Sequence, residues 1–387
     1  MPALPPRTLP LIGLLWLAGV DLRVTILALP PTLPLVHHDL ALSEKLVGAL
    51  SGLPVLLFGL AAVPGSLLIA RLGARRTLVV GLAMVATGSA GRGIGPSVTA
   101  LFAMTFVMGA GVAVMQPALP ALVAVWFPSR VEFATAIYAN GLLVGETAAA
   151  ALTLPLILPL LDNSWRASFV FWSAPVLAAA LLFTIISRPS ERTTETSPRL
   201  WWPDTRNADT WLAGLVLGGG SSIYFGSNAF IPDFLSAIAR PELIGPCLTA
   251  LNIGQFPASA LVLLFPRQTV GRREPVVAIA ILAAASVGLF LPGQAWAMVL
   301  GAAILGLASA FVLISSLALP PLLAAPEDVH RLSAGMFAIG YLTAFLLPLA
   351  SGVVWDLTGA AASAFLPVAA GSALACGVGL RLRGRMD

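Results

Sequence analysis

The sequence predicts an all-α membrane protein: twelve transmembrane helices forming two pseudo-symmetric six-helix bundles. Three observations carry this expectation. Hydrophobic residues make up 58% of the 387 residues and charged ones only 10%, with a mean hydropathy of +0.94. A soluble domain carries about 25% charged residues, so a chain this poor in charge faces lipid. The apolar runs are long and unbroken, whereas barrel strands alternate over roughly ten residues. Finally, features of the first half return in the second at a nearly constant spacing.

The first span, 9–36, reads LPLIGLLWLAGVDLRVTILALPPTLPLV. It exceeds the roughly 20 apolar residues that cross a bilayer. It is too long for a signal peptide and lacks a small-residue cleavage site. Asp21 and Arg23 lie near its middle, where a charge costs about 2.5–3.5 kcal/mol even on lenient insertion scales. Both side chains are therefore expected to face a bundle interior or a watery cavity. Span two, 46–70, holds Pro54 and Pro64 and runs into an Arg-rich loop, and span three, 76–95, ends near Arg92. Span four, 98–124, carries Met115, Gln116, Pro117 and Pro120, and span five, 133–160, carries Tyr138, Gly141, Gly145 and Glu146. Span six is 166–187.

A longer polar connection follows, RPSERTTETSPRLWWPDTRNAD from Arg188 to Asp209. It separates an N-terminal bundle, 1–187, from a C-terminal bundle, 209–387, with 188–208 as a plain cytoplasmic linker. Span seven, 209–236, carries Tyr224 and Asn228; span eight, 243–265, carries Asn252 and Gln255. Spans nine and ten are 275–293 and 295–323; spans eleven and twelve are 332–354, with Tyr341 and Thr343, and 360–380. Short loops of Gly, Pro and charge punctuate them. Prolines inside spans are expected to kink them.

Of the 21 lysines and arginines, Arg23 lies within a span, while Lys45, Arg92, Arg166 and Arg240 fall on one face of the membrane. All others fall on the opposite face, which is read as cytoplasmic, with both termini inside. These basic residues sit in short loops and report topology, not nucleic-acid binding. Cys247 and Cys376 lie far apart in apolar runs and suggest neither a disulfide framework nor a metal site.

The halves echo each other. Arg71-Leu-Gly-Ala-Arg75-Arg76 returns as Arg267-Gln-Thr-Val-Gly-Arg272-Arg273, Pro34 as Pro232, Pro120 as Pro320 and Arg130 as Arg331, at offsets of about 196–201 residues. Parallel six-helix repeats of this kind place a site between the halves at mid-depth. The loop from Gly65 through Arg71 and Gly73 to Arg75 and Arg76 resembles the major facilitator signature between helices two and three, with Ala70 where that signature usually has an acid. Without that acid, these arginines are expected to meet helix ends or lipid phosphate. Asp21-Leu22-Arg23 resembles the Asn-Leu-Arg segment of the cyanate permease and 2-nitroimidazole transporter family. So do Gln116-Pro-Ala-Leu-Pro120, Phe230-Ile-Pro232, Arg92, and Gly340-Tyr341 with Pro348, Gly352, Asp356 and Gly359.

The resemblance implies a monomeric secondary transporter of the inner membrane, working by alternating access on a small anion or small polar organic molecule. The alternative is an exporter of neutral or aromatic, nitroimidazole-like compounds. Span five lacks the Gly-Pro-x-x-Gly-Gly signature of many drug exporters, which weighs against it. No phosphate-binding loop for ATP is present, and no cofactor is expected.

Arg23 has two readings. Its planar fork of donors suits a small anion; alternatively it pairs with Asp21 or Glu146 and locks the bundle. Glu146 likewise is a proton acceptor released when substrate occupies Arg23, or a fixed partner of Arg23. Asp21 is expected to bond a neighbouring helix, since two residues apart on a helix point to different sides. Gln116, Tyr224, Asn228, Asn252 and Tyr341 are candidates for the cavity wall. Gly65, Arg71, Gly73, Arg75 and Arg76 form the candidate conformational-switch loop. His37, His38 and Asp39 read as a solvated loop after span one, not a metal cluster. Trp126, Trp165, Trp201, Trp202 and Trp296 read as interfacial anchors.

Overall fold

The computed structural model describes residues 8–42, 44–95, 97–186, 200–291 and 293–381. Among them are eighteen α-helices and no strand. Span one is three pieces: α1 (Thr8–Asp21), a single turn α2 (Val24–Leu27) and α3 (Leu29–Leu40). At Leu22-Arg23 the bonding tightens by one residue, with the Arg23 N–H donating to the Val20 carbonyl at 3.1 Å. The second break, at Ala28, has a covalent cause. Pro30 and Pro31 offer no N–H to the carbonyls of Ile26 and Leu27. His37, His38 and Asp39, expected in a loop, instead close the last turn of α3.

Span two is α4 (Glu44–Leu60) and α5 (Ala62–Leu72), bent by 50° around Ala61. Pro64 leaves the Leu60 carbonyl without its donor, and the helix bends there. Spans three and four are α6 (Ala74–Ile94) and α7 (Val98–Trp126). Span five is α8 (Val131–Leu152), a π-helical turn containing Pro155, and α9 (Leu158–Leu160); span six is α10 (Trp165–Ile186).

Span seven is the single helix α11 (Ala208–Ala237). Span eight is α12 (Ile244–Ile253) and α13 (Gln255–Leu264), interrupted at Gly254 three residues before Pro257, as span two is interrupted three residues before Pro64. The short α14 (Pro266–Thr269) leads to α15 (Arg273–Ser286), then α16 (Ala295–Leu323), α17 (Val329–Thr358) and α18 (Leu366–Gly379). Among the described residues ten helices are long and apolar enough to cross a membrane, and the bent pair of span two makes an eleventh. The remaining one of the twelve, span seven (α11), is less apolar, because Gly218-Gly-Gly-Ser-Ser222, Tyr224 and Asn228 fill its middle.

The chain divides into two compact units. One comprises Met1–Arg130, Ile137–Pro203 and Ala324–Ala334; the other comprises Val131–Ala136, Asp204–Leu323 and Gly335–Asp387. In the first, Leu29, Val36, Leu50, Leu101, Trp165 and Phe169 form a buried cluster around α3. The end of the polar connection belongs to this unit too. Ser66 Oγ donates to the Trp201 carbonyl at 2.6 Å, and Arg331 Nε to the Trp202 carbonyl at 3.1 Å. In the second unit the rings of Phe234, Phe290 and Phe365 meet edge to face or tilted, with centroids 4.8–6.1 Å apart.

Candidate functional site

In the first unit α1 and α8 touch at backbone distance. An added Cβ at Gly19 would lie 2.0 Å from the Tyr138 carbonyl oxygen, one at Gly141 2.2 Å from that of Trp16, and one at Gly145 2.3 Å from that of Val20. Helices in lipid have no hydrophobic drive towards each other, so close van der Waals approach through small residues holds them. Trp16 Nε1 adds a hydrogen bond to Asn140 Oδ1 at 3.0 Å. Asp21 follows Val20 and Glu146 follows Gly145, so this seam sets two carboxyl residues at neighbouring positions on facing helices. Both are buried.

Arg23 occupies the break itself. It is 8% exposed, and its Cζ lies 5.4 Å from the centre of the Phe58 ring on α4, a cation–π arrangement. Asp21 departs from expectation. Its Oδ2 is buried with no hydrogen-bond partner, and it forms no ion pair with Arg23 among the described residues. Two residues on a helix separate the side chains by too wide an angle for that pair.

Arg92 also departs from expectation. Its position near the end of span three suggested the outer membrane face, yet it is 1% exposed. Its Nη2 donates to the Thr25 carbonyl at 2.7 Å and approaches Ser89 Oγ at 3.3 Å, and its Cζ lies 4.4 Å from the Phe169 ring centre. Nε and Nη1 find no hydrogen-bond partner. At the far end of α3, Asp39 accepts from Arg166 and from Trp165 Nε1. The Arg166 guanidinium, with the Trp165 indole second, holds the Asp39 carboxyl below the usual carboxylate range. Trp165, expected at the interface, is buried; Trp202 and Trp296 are exposed.

The second unit gathers a neutral cluster around the break in span eight. Tyr224 Oη donates to Asn252 Oδ1 at 3.0 Å, and Gln255 Nε2 reaches the same oxygen at 3.3 Å. The amides of Asn252 and Asn228 donate to backbone carbonyls one turn back, those of Leu248 and Tyr224. Tyr341 is buried and stacks on Phe337, with ring centres 6.0 Å apart. Gln116, on α7 in the first unit, is buried with Oε1 unpartnered. Structure thus joins Tyr224 to Asn252, and Asn228 to the Tyr224 backbone. Phe58 and Phe169, the rings beneath the two arginines, were legible in sequence only as apolar residues.

In the Arg-rich loop Gly73 has φ 82 and ψ 156, a region essentially reserved for glycine. Gly271 holds φ 75 in the matching loop. Arg75 Nη2 donates to the carbonyls of Phe183 and Thr184 at 3.3 and 2.9 Å, satisfying the last turn of α10. Arg71 and Arg76 flank it, and Gly65 packs on Val114 and Pro117 of α7.

A family model described as the Major Facilitator Superfamily matches residues 14–266. The chain is similar to the cyanate transport protein CynX of Escherichia coli (strain K12), 27% identical over 352 residues that make up 89% of each chain. It is also similar to the 2-nitroimidazole transporter of that organism, 28% identical over 359 residues, 90% of this chain and 88% of that one. Among solved structures, the transporter FucP in the outward conformation aligns with a TM-score of 0.76 at 17% identity, covering 97% of this chain and 99% of that one. The human organic anion transporter MFSD10 aligns with a TM-score of 0.75 at 16% identity, covering 98% and 100%. At such identities these two structures show the fold alone.

Proposed function

The chain belongs to the Major Facilitator Superfamily and is a membrane transporter, not an enzyme; on that premise we propose that it moves a small anion or small polar organic molecule across the inner membrane by alternating access. The observation that carries this reading is Arg23, a buried guanidinium at a helix break in the middle of span one. Backbone that leaves the helix at membrane depth is tolerated where it is buried in protein or lines a cavity. In a low-dielectric interior a guanidinium fork holds a small anion more strongly than in water. The likeness to a cyanate transporter supports an anion. Proton coupling belongs to the same proposal. A proton carried on a buried carboxyl offsets the negative charge that the anion brings into the bundle. Glu146 and Asp21 are the buried carboxyls on the helices that meet beside Arg23. The transporter works as a monomer with both termini cytoplasmic.

A second reading has its own observation. The neutral Tyr224–Asn252–Gln255 cluster suits an uncharged polar ligand, and the chain resembles a 2-nitroimidazole transporter to a similar degree. Arg23 is then structural.

A thermal-shift titration on detergent-purified protein separates the two, with cyanate, nitrate, formate and neutral nitroimidazoles as probes. A ligand at a hundredfold its Kd stabilises the folded state by about 2.7 kcal/mol. The expected result is stabilisation of the native chain by an anion and none of a folded Arg23→Ala variant. Stabilisation of both by neutral compounds alone overturns the anion reading.

A further inference from the structure

We infer that Arg92 is a positioning residue for Arg23, holding the broken middle of span one in place through the Thr25 carbonyl. The inference rests on Arg23 as the anion's ligand, and its test keeps the two apart.

Thr25 lies two residues after Arg23, within the single turn α2. In an unbroken helix its carbonyl would accept the N–H of Leu29. Here α2 ends at Leu27, and the carbonyl accepts Arg92 Nη2 at 2.7 Å instead. The guanidinium is held from two sides. Phe169 lies beneath it at 4.4 Å, and Ser89 Oγ, 3.3 Å from Nη2, donates in turn to the Phe169 carbonyl at 3.0 Å. Spans one, three and six therefore meet in one knot. The outer end of α3 is fastened to span six as well, by Arg166 and Trp165 on Asp39. On the other side of the break, α1 is fixed to α8 by the glycine seam. Arg23 sits where these two separately anchored pieces of span one join. A carbonyl without a donor at membrane depth is strongly unfavourable. Pro30 and Pro31 make the break, and Arg92 fixes the geometry of the α2 turn beside it, and with it the direction in which Arg23 points.

The test uses the full chain in detergent with two readouts: amide hydrogen exchange over 22–29, and the cyanate concentration that gives half-maximal thermal stabilisation. Arg92→Met is expected to speed exchange over 22–29 about tenfold while α6 and α10 exchange as in the native chain. It is expected to raise the half-saturating cyanate concentration about tenfold as well. Arg92→Lys, which still carries a donor to Thr25, restores both towards native values; a purely structural residue gives no such rescue of ligand response. Native behaviour of Arg92→Met in both readouts overturns the inference, as does faster exchange spread evenly over α6, α7 and α10. If the native chain ignores cyanate, the anion reading falls; local exchange over 22–29 alone then decides whether Arg92 clamps span one. Should Arg92→Met not yield folded protein, Phe169→Leu, which removes the supporting ring and keeps the donor, is read by the same two criteria.

Discussion

Arg23→Lys keeps the cation and discards the planar fork, so it measures how much of the proposed recognition is geometry. The half-saturating cyanate concentration is expected to rise about tenfold, roughly 1.4 kcal/mol, by thermal-shift titration; equal affinity would mean that charge alone suffices. At Gly73 the relevant property is the backbone. Nothing lies within 4 Å of an added Cβ there, so Gly73→Ala tests the φ 82 conformation without a clash. It is expected to destabilise by about 1–3 kcal/mol, read from the thermal midpoint without ligand. Asp39 supplies a pH dependence. Its carboxyl titrates below the ordinary range because Arg166, then Trp165, bonds the charged form. The pair therefore contributes stability above the unfolded carboxylate pKa, about 4, and loses it as pH falls through the lower folded value. The native chain is expected to melt above Asp39→Asn at pH 7, with the gap closing on acidification below the unfolded value. A gap that persists there would assign the difference to packing.

The helices of each half lean on glycine at corresponding places. Gly19 and Gly141 line the α1–α8 seam; Gly218 and Gly340 line the α11–α17 seam, where an added Cβ would lie 2.7 Å from Thr343 Cβ and 2.7 Å from Leu217 Cδ2. Both pairs are separated by 199 residues, 19 to 218 and 141 to 340, which extends the repeat from loops to packing. Gly141→Ala meets a backbone oxygen at 2.2 Å, and backbone cannot step aside as a side-chain tip does. A loss of about 1–3 kcal/mol is expected from overpacking. Gly377→Ala, in open space, is the control and is expected to leave the midpoint unchanged. Equal midpoints for both variants would show that the seam yields.

The arginine asymmetry makes a prediction for the whole molecule. A periplasm-active reporter fused in the turn between spans five and six, at Asp162 or Asn163, is expected to be active. The same reporter fused within 188–208 is expected to be silent. The reverse pattern overturns the proposed orientation.

Sequence alone determined what bulk physical chemistry controls. Lipid solvation requires long apolar helices, so the spans, the class and the membrane setting follow from hydropathy. Offsets shared by Arg71 and Arg267, or Pro120 and Pro320, expose the two halves. The family is visible in the Arg-rich loop because a glycine-only turn constrains residue type. Only the tertiary structure decided the pairings. Nothing local to Arg92 distinguishes a loop cation from one buried on Phe169, because the difference lies in spans one and six, distant in sequence. Asp21 lacks a hydrogen-bond partner for its Oδ2, and Tyr224 on α11 finds Asn252 on α12, for the same reason. A charge at membrane depth announces that it needs company, and the packing of other helices chooses which residues supply it.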